Sequence, residues 1–212
     1  ADHLGLDRFA VVGGSGGGPH ALACAALLPD RVTAVACQSS LAPVGVGGMP
    51  RRAWTDGMGE GFAAELAWAE AGESRVAAEV RRLQDEMEAA VDDDPADLMG
   101  EGLSEVDVAF LSRADLRDNW RRIVAEQAVD GIGGAVDDVL AFARPWGFNL
   151  ARIDVPVLVT HGAQDVSCPP AHGRWLASRI RGAELRISDT GGHLPEHPEA
   201  EIAETMAWLR RF

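Results

Sequence analysis

Lysine and tyrosine are both missing from this 212-residue chain, so all 19 of its basic residues are arginines. That bias, with abundant Ala, Gly and Arg, fits a GC-rich bacterial coding sequence and says nothing about activity. Cysteine is scarce: Cys24, Cys37 and Cys168 are an odd number in mostly apolar surroundings, which excludes a disulfide framework. No Cys/His cluster has zinc-ligand spacing, so no metal site is expected. Long hydrophobic runs are lacking too, and stretches such as Ala21–Leu28 fall far short of a membrane span. Positive charge is outnumbered, 19 against 33 acidic residues, for a net −14. Such a chain repels phosphate backbones and anionic lipid, which argues against nucleic acid and membrane surfaces as partners. No secretory signal is visible in these residues, and a cytoplasmic location is the expectation.

What is present reads as a folded α/β protein. Apolar residues make up 47% and charged residues 25%, enough for a sizeable core. Phe9–Val12, Val32–Cys37, Val155–Thr160 and Glu184–Ile187 are short runs rich in Val, Ile or Leu, bounded by Gly, Pro or Asp and not alternating with polar residues. That is the signature of buried parallel strands. Helical patterns over Pro19–Leu28, Pro170–Arg179 and Glu199–Arg211 separate or follow them. Residues 43–147 break the rhythm. Pro43–Gly59 reads as a loop, and Glu60–Gly147 as consecutive amphipathic helices, among them Glu73–Val91 and Leu116–Val129. Asp92-Asp93-Asp94-Pro95 marks a solvated turn and a helix start rather than a metal site. A helical block of about a hundred residues is too long for a connection. The expected organisation is therefore a core of residues 1–42 and 148–212 interrupted by a helical subdomain at 43–147.

The first strand runs into Gly13-Gly14-Ser15-Gly16-Gly17, a G-x-S-x-G sequence in the strand–turn–helix context that a nucleophile elbow requires. A side chain displayed on so sharp a turn strains the backbone and brings neighbouring chain within a side chain's width, room that Gly13 and Gly17 would leave. A phosphate-binding glycine turn is the bland alternative. The dinucleotide spacing G-x-G-x-x-G fails because Pro19 stands where the last glycine is needed, and no acidic residue follows the second strand. Two further positions decide between these readings. Asp165 follows the third candidate strand and His193 the fourth. The order Ser…Asp…His, with each residue at the carboxyl end of a parallel strand, differs from the orders of chymotrypsin and subtilisin.

On Gly13–Ala23, Val155–Pro169 and Gly191–Leu194, the sequence resembles the α/β-hydrolase superfamily over nearly its whole length. The resemblance implies a cofactor-free serine hydrolase whose sheet strands here are five to eight, with 43–147 as the cap. It gives Ser15 the role of nucleophile, His193 that of general base and acid, and Asp165 that of orienting the imidazole. The Gly16 N–H would form half of an oxyanion hole. Serine at the nucleophile position excludes the alkyl-ester chemistry of haloalkane dehalogenases and epoxide hydrolases. Ester, thioester, amide, peptide and C–C bond hydrolysis and perhydrolysis stay open. The expected substrate is a small, largely apolar ester or related acyl compound. The competing function is a catalytically impaired module that only binds a ligand.

Other candidates are weaker. Asp189 is an alternative acid, only four residues before His193. His20, His161, His172 and His197 read as packing or surface residues, Cys168 as a core side chain or pocket wall. Trp54, Trp68, Trp120 and Trp146 fit either an acyl pocket or ordinary packing. Ala1–Leu4 followed by Gly5 reads as the last turn of a helix and its C′ glycine, and Phe9–Val12 as a strand with neighbours on both sides. The expectation is therefore that roughly 80 upstream residues, or a second copy of the chain, complete the sheet and supply the second oxyanion donor. If the gene starts at Ala1, a rearranged edge and little hydrolysis are expected.

Overall fold

In a computed structural model, which describes residues 1–99 and 102–212, four parallel strands lie side by side in chain order. They are β1 (Phe9–Gly14), β2 (Val32–Gln38), β3 (Val157–Gly162) and β4 (Glu184–Ser188). Each outlasts its apolar run by one or two residues, because the ladder pairs Gly14 with Gln38, Gln38 with Thr160 and Gly162 with Ser188. Pairing with a neighbouring backbone, which glycine does as well as valine, sets those ends. Val155 and Pro156 lie outside β3.

Successive side chains of a strand face opposite sides of the sheet. Val35, Cys37, Val157 and Val159 meet Leu22 of α1 (Gly17–Leu27) and Leu176 of α9 (Pro170–Arg179) on one face. Ala34, Ala36 and Leu158 meet Trp208 and Leu209 of α10 (Pro198–Leu209) on the other. β1 lies at the edge of the sheet, with Ala10 exposed and Val12 42% exposed. Ala1–Gly5 forms a hydrogen-bonded turn with Gly5 at φ +64°, and the Leu6 N–H reaches back to the Ala1 carbonyl, as at a helix end.

Between β2 and β3 the described residues carry helices, together with one isolated bridge between Val44 and Met49. Residues 100 and 101 of the 43–147 span lie outside the description. The Pro43–Gly59 stretch is not all loop. Arg51–Thr55 forms α2, with Pro50 as its N-cap and Trp54 buried. Then come α3 (Glu60–Ala71), α4 (Glu73–Ala89), α5 (Pro95–Met99), α6 (Glu105–Leu111), α7 (Arg117–Val129) and α8 (Gly133–Phe142). Gly72, at φ +104°, divides α3 from α4. Asp94 caps α5 by accepting from the Ala96 N–H and meets Arg117, while Asp92 pairs with Arg121, so the acidic run is solvated and ion-paired. No described helix is long and apolar enough to cross a membrane.

Candidate active site

Ser15 sits between the end of β1 and the start of α1 with φ +51°, a conformation side chains rarely adopt. The strain is held in place by its N–H bond to the Gln38 carbonyl, 2.8 Å, and by glycines. A Cβ on Gly13 would lie 2.2 Å from the Gly17 carbonyl oxygen, and one on Gly18 would overlap buried Ser40. Gly17 itself has open space at its Cβ, so the close approach expected of Gly13 and Gly17 requires glycine at Gly13 and Gly18 instead. Gly16 lies under the ring of Phe142 from α8, 2.8 Å from where its Cβ would stand.

The three candidates taken from separate strand ends converge. His193 Nε2 is 3.0 Å from Ser15 Oγ, and its Nδ1 is 3.1 and 3.0 Å from the two oxygens of Asp165. An ionised carboxylate only accepts, so Nδ1 carries the proton and Nε2 is left to accept from the Ser15 hydroxyl. Asp165 is fully buried, and Oδ1 also accepts from the Ser167 and Cys168 N–H groups at 2.9 and 2.8 Å. Burial alone would raise its pKa. Its contacts with His161 and His193 and the Cys168 N–H outweigh it and hold the carboxyl down at about 2.

The remaining histidines separate by environment. His161 is buried beneath Asp165, donating from Nε2 to the Cys168 carbonyl at 2.6 Å and lying 3.4 Å from Asp165 Oδ2. His172 accepts from the Ala42 N–H and donates to the Trp54 carbonyl, and burial pushes its pKa down to about 4, so it is a neutral structural staple. His20 is exposed and paired with Asp138, and His197 is exposed at the start of α10. Asp189 is exposed, and the carboxylate on His193 Nδ1 is that of Asp165. Cys168 is buried beside the Ser15 side chain, its thiol pushed up by burial. Trp54 is buried in the main core and Trp146 stacks on Phe148, while Trp68 packs in the helical segment against Val76.

One residue escaped sequence reasoning. Asp107, on α6, has no exposed surface, and its oxygens accept from the His193 N–H at 3.0 Å and the Leu194 N–H at 2.7 Å. Its only sequence signal is Ser104-Glu105-Val106-Asp107, a capping pattern, and Ser104 does accept from the Asp107 N–H. A local motif of that kind says nothing about a partner 86 residues away.

A cavity of about 660 Å³ opens beside Ser15 and His193, walled by Leu194, Pro195 and Ile202 and by the charged side chains of Arg186, Glu201 and Glu204. A serine, imidazole and carboxylate in hydrogen-bonded sequence at the mouths of parallel strands is the constellation of acyl-transfer hydrolases. The α/β hydrolase fold family matches residues 1–197, and the chain belongs to that family. Among curated proteins it is similar to the pimeloyl-[acyl-carrier protein] methyl ester esterase of Neisseria meningitidis, 34% identical over 86 residues that make up 39% of this chain and 28% of that protein. The enzyme of the same name from Aromatoleum aromaticum is 34% identical over 102 residues, 42% of this chain and 40% of that one. These matches thus span less than half the length of either relative. Among solved structures, a hydrolase from Pseudomonas aeruginosa superposes with a TM-score of 0.62 at 23% identity, over 98% of this chain and 67% of that one. A thermophilic esterase from Thermogutta terrifontis does so with 0.61 at 21%, over 99% and 68%.

Proposed function

We propose that this protein is a serine hydrolase of small carboxylic esters, working through a Ser15–His193–Asp165 triad and an acyl-enzyme. The observation that carries this reading is the unbroken line of bonds from Ser15 Oγ through His193 to buried Asp165. As Ser15 Oγ attacks the ester carbonyl, His193 Nε2 takes the hydroxyl proton and Asp165 stabilises the imidazolium. Collapse of the tetrahedral adduct breaks the ester C–O bond, and His193 returns the proton to the leaving alkoxide. Water then attacks the acyl carbonyl, its proton passing to Nε2 and back to Ser15, which frees the acid. No cofactor takes part.

The Gly16 N–H, next in chain to Ser15 at the mouth of α1, is the first oxyanion donor. The four strands β1–β4 correspond to the last four of the family's sheet. Residues 43–147 form the cap, and Phe142 over Gly16 is one point where it closes on the elbow. Relatives named as methyl ester esterases favour esters over amides. The impaired-binder reading has no comparable support, because all three members stand at bonding distance.

The test is labelling with a fluorophosphonate followed by intact mass. A single adduct is expected, lost in Ser15→Ala; an adduct that persists in that variant overturns the assignment.

A further inference from the structure

We infer that Asp107 is the positioning residue through which the cap holds His193 in place, an inference that rests on the serine-hydrolase reading. Each catalytic side chain lies on a loop, and a loop residue needs more than its own torsions to stay within tenths of an ångström of a productive geometry. Asp165 fixes the imidazole at Nδ1, but that bond alone leaves the backbone behind it free. The other hold comes from α6. Asp107 Oδ2 accepts from the His193 N–H and Oδ1 from the Leu194 N–H, so one carboxylate clamps two successive peptide units at the residue that must move a proton. Gly192 completes the contact, because a Cβ there would lie 2.5 Å from Asp107 Oδ1.

A carboxylate with no exposed surface is costly unless hydrogen bonds replace its water. Here the replacements are the two backbone N–H groups of the His193 loop and the Ser104 hydroxyl, which donates to Oδ2 at 2.6 Å. Capping α6 does not explain the burial, since the cap bond is made by Ser104 Oγ and a carboxylate at a helix start is equally content in water. The His193 loop therefore receives two charge-assisted bonds from a helix that belongs to the cap, 86 residues away in sequence. Seating the cap and aligning the base are one event: lifting α6 takes the carboxylate from both N–H groups behind the imidazole and leaves that stretch of loop held only by solvent.

The experiment compares Asp107→Asn with Val76→Ala, which loosens the fully buried centre of the helical cluster without touching the His193 loop. The rate of fluorophosphonate labelling of Ser15, kcat and KM on p-nitrophenyl acetate, and the downfield proton resonance of the His193 Nδ1–H are read in each, alongside Tm. Asp107→Asn turns an amide N–H₂ towards a backbone donor. Labelling and kcat are expected to fall about ten- to hundredfold with KM little changed, and the downfield signal to broaden or vanish. Val76→Ala is expected to lose stability and keep the labelling rate. Labelling of Asp107→Asn at the wild-type rate overturns the proposal, and so does an equal slowing in Val76→Ala. If Asp107→Asn does not fold, Ser104→Ala decides: it keeps the carboxylate but removes its third donor, and a severalfold slowing with the same spectral change supports the proposal, while an unchanged rate overturns it. Absence of labelling in the wild-type protein is a different failure, because it removes the hydrolase reading itself and this inference with it.

Discussion

The α/β core and the helical segment are built on different principles. The core buries a continuous apolar interior across both faces of the sheet, with Leu22, Val35, Cys37, Leu158, Val159 and Leu176 fully enclosed. Among the described residues, the helical segment has a cluster of its own centred on Val76, Val136 and Leu140. Its surface carries ion pairs such as Arg82 with Glu79 and Glu86, or Arg121 with Asp92 and Asp118. Exposed pairs of this kind contribute little, because water screens the charges and two long side chains must be held in one geometry. The helical segment shares the main core through Val44, Met49, Trp54 and Leu66, and it also reaches the core through polar and close contacts: Asp107 on the His193 loop, Phe142 over Gly16, and the Gly59 N–H on the Val166 carbonyl.

The contrast is broken most sharply by aspartates drawn from each region. Asp165→Asn should cut kcat by about 10⁴, because the amide no longer fixes the imidazole tautomer. Asp92→Asn, on an exposed ion pair of the helical segment, should leave kcat unchanged, as should Asp189→Asn in the core. Steady-state kinetics of the three variants checks this, and a large loss at Asp189 would reassign the acid.

Glycines give the next largest separation. Gly13→Ala drives a methyl into the Gly17 carbonyl and should cost about 3 kcal/mol by urea denaturation. Gly61→Ala in α3 meets open space and should gain about 0.5–1 kcal/mol by restricting the unfolded chain. Equal effects at the two sites would erase the distinction drawn here.

Glu65, on α3, sharpens it through pH. Burial raises its pKa from 4.5 to about 7, so the folded protein keeps a proton that the unfolded chain releases. That burial costs nothing below pH 4.5, and the penalty grows as pH rises and is complete above 7. Glu65→Gln should therefore stabilise the protein at pH 8 by about 1–3 kcal/mol and leave it unchanged at pH 4. Denaturation midpoints at the two values test the sign.

How much of this was legible in the sequence follows the range of the interactions. The cores of the four strands, the positions of α1, α9 and α10 and the elbow glycines carry local signals, and Ser15, Asp165 and His193 could be named from their places after strands. Strand ends eluded pattern reading because neighbouring backbone decides them, which is why β1 continues through Gly13 and Gly14. The short α2 eluded it because the glycines and prolines around Arg51–Thr55 speak for a loop, and burial of Trp54 against His172 overrides them. Gly18 was not separable from Gly17, since the reason for it is Ser40 on another strand's exit. Asp107 was least legible: its capping motif is genuine, and the function argued for it lies in the other direction.

The clamp on the His193 loop also supplies a clock. An amide proton bonded to a buried carboxylate exchanges with deuterated solvent only when the bond opens, so the His193 and Leu194 N–H groups record each withdrawal of α6. Amides in the sheet record only the rarer openings of the core. If the helical segment moves as a lid, the pair exchanges together, faster than the strands on either side, and slows when an acyl-enzyme analogue occupies Ser15.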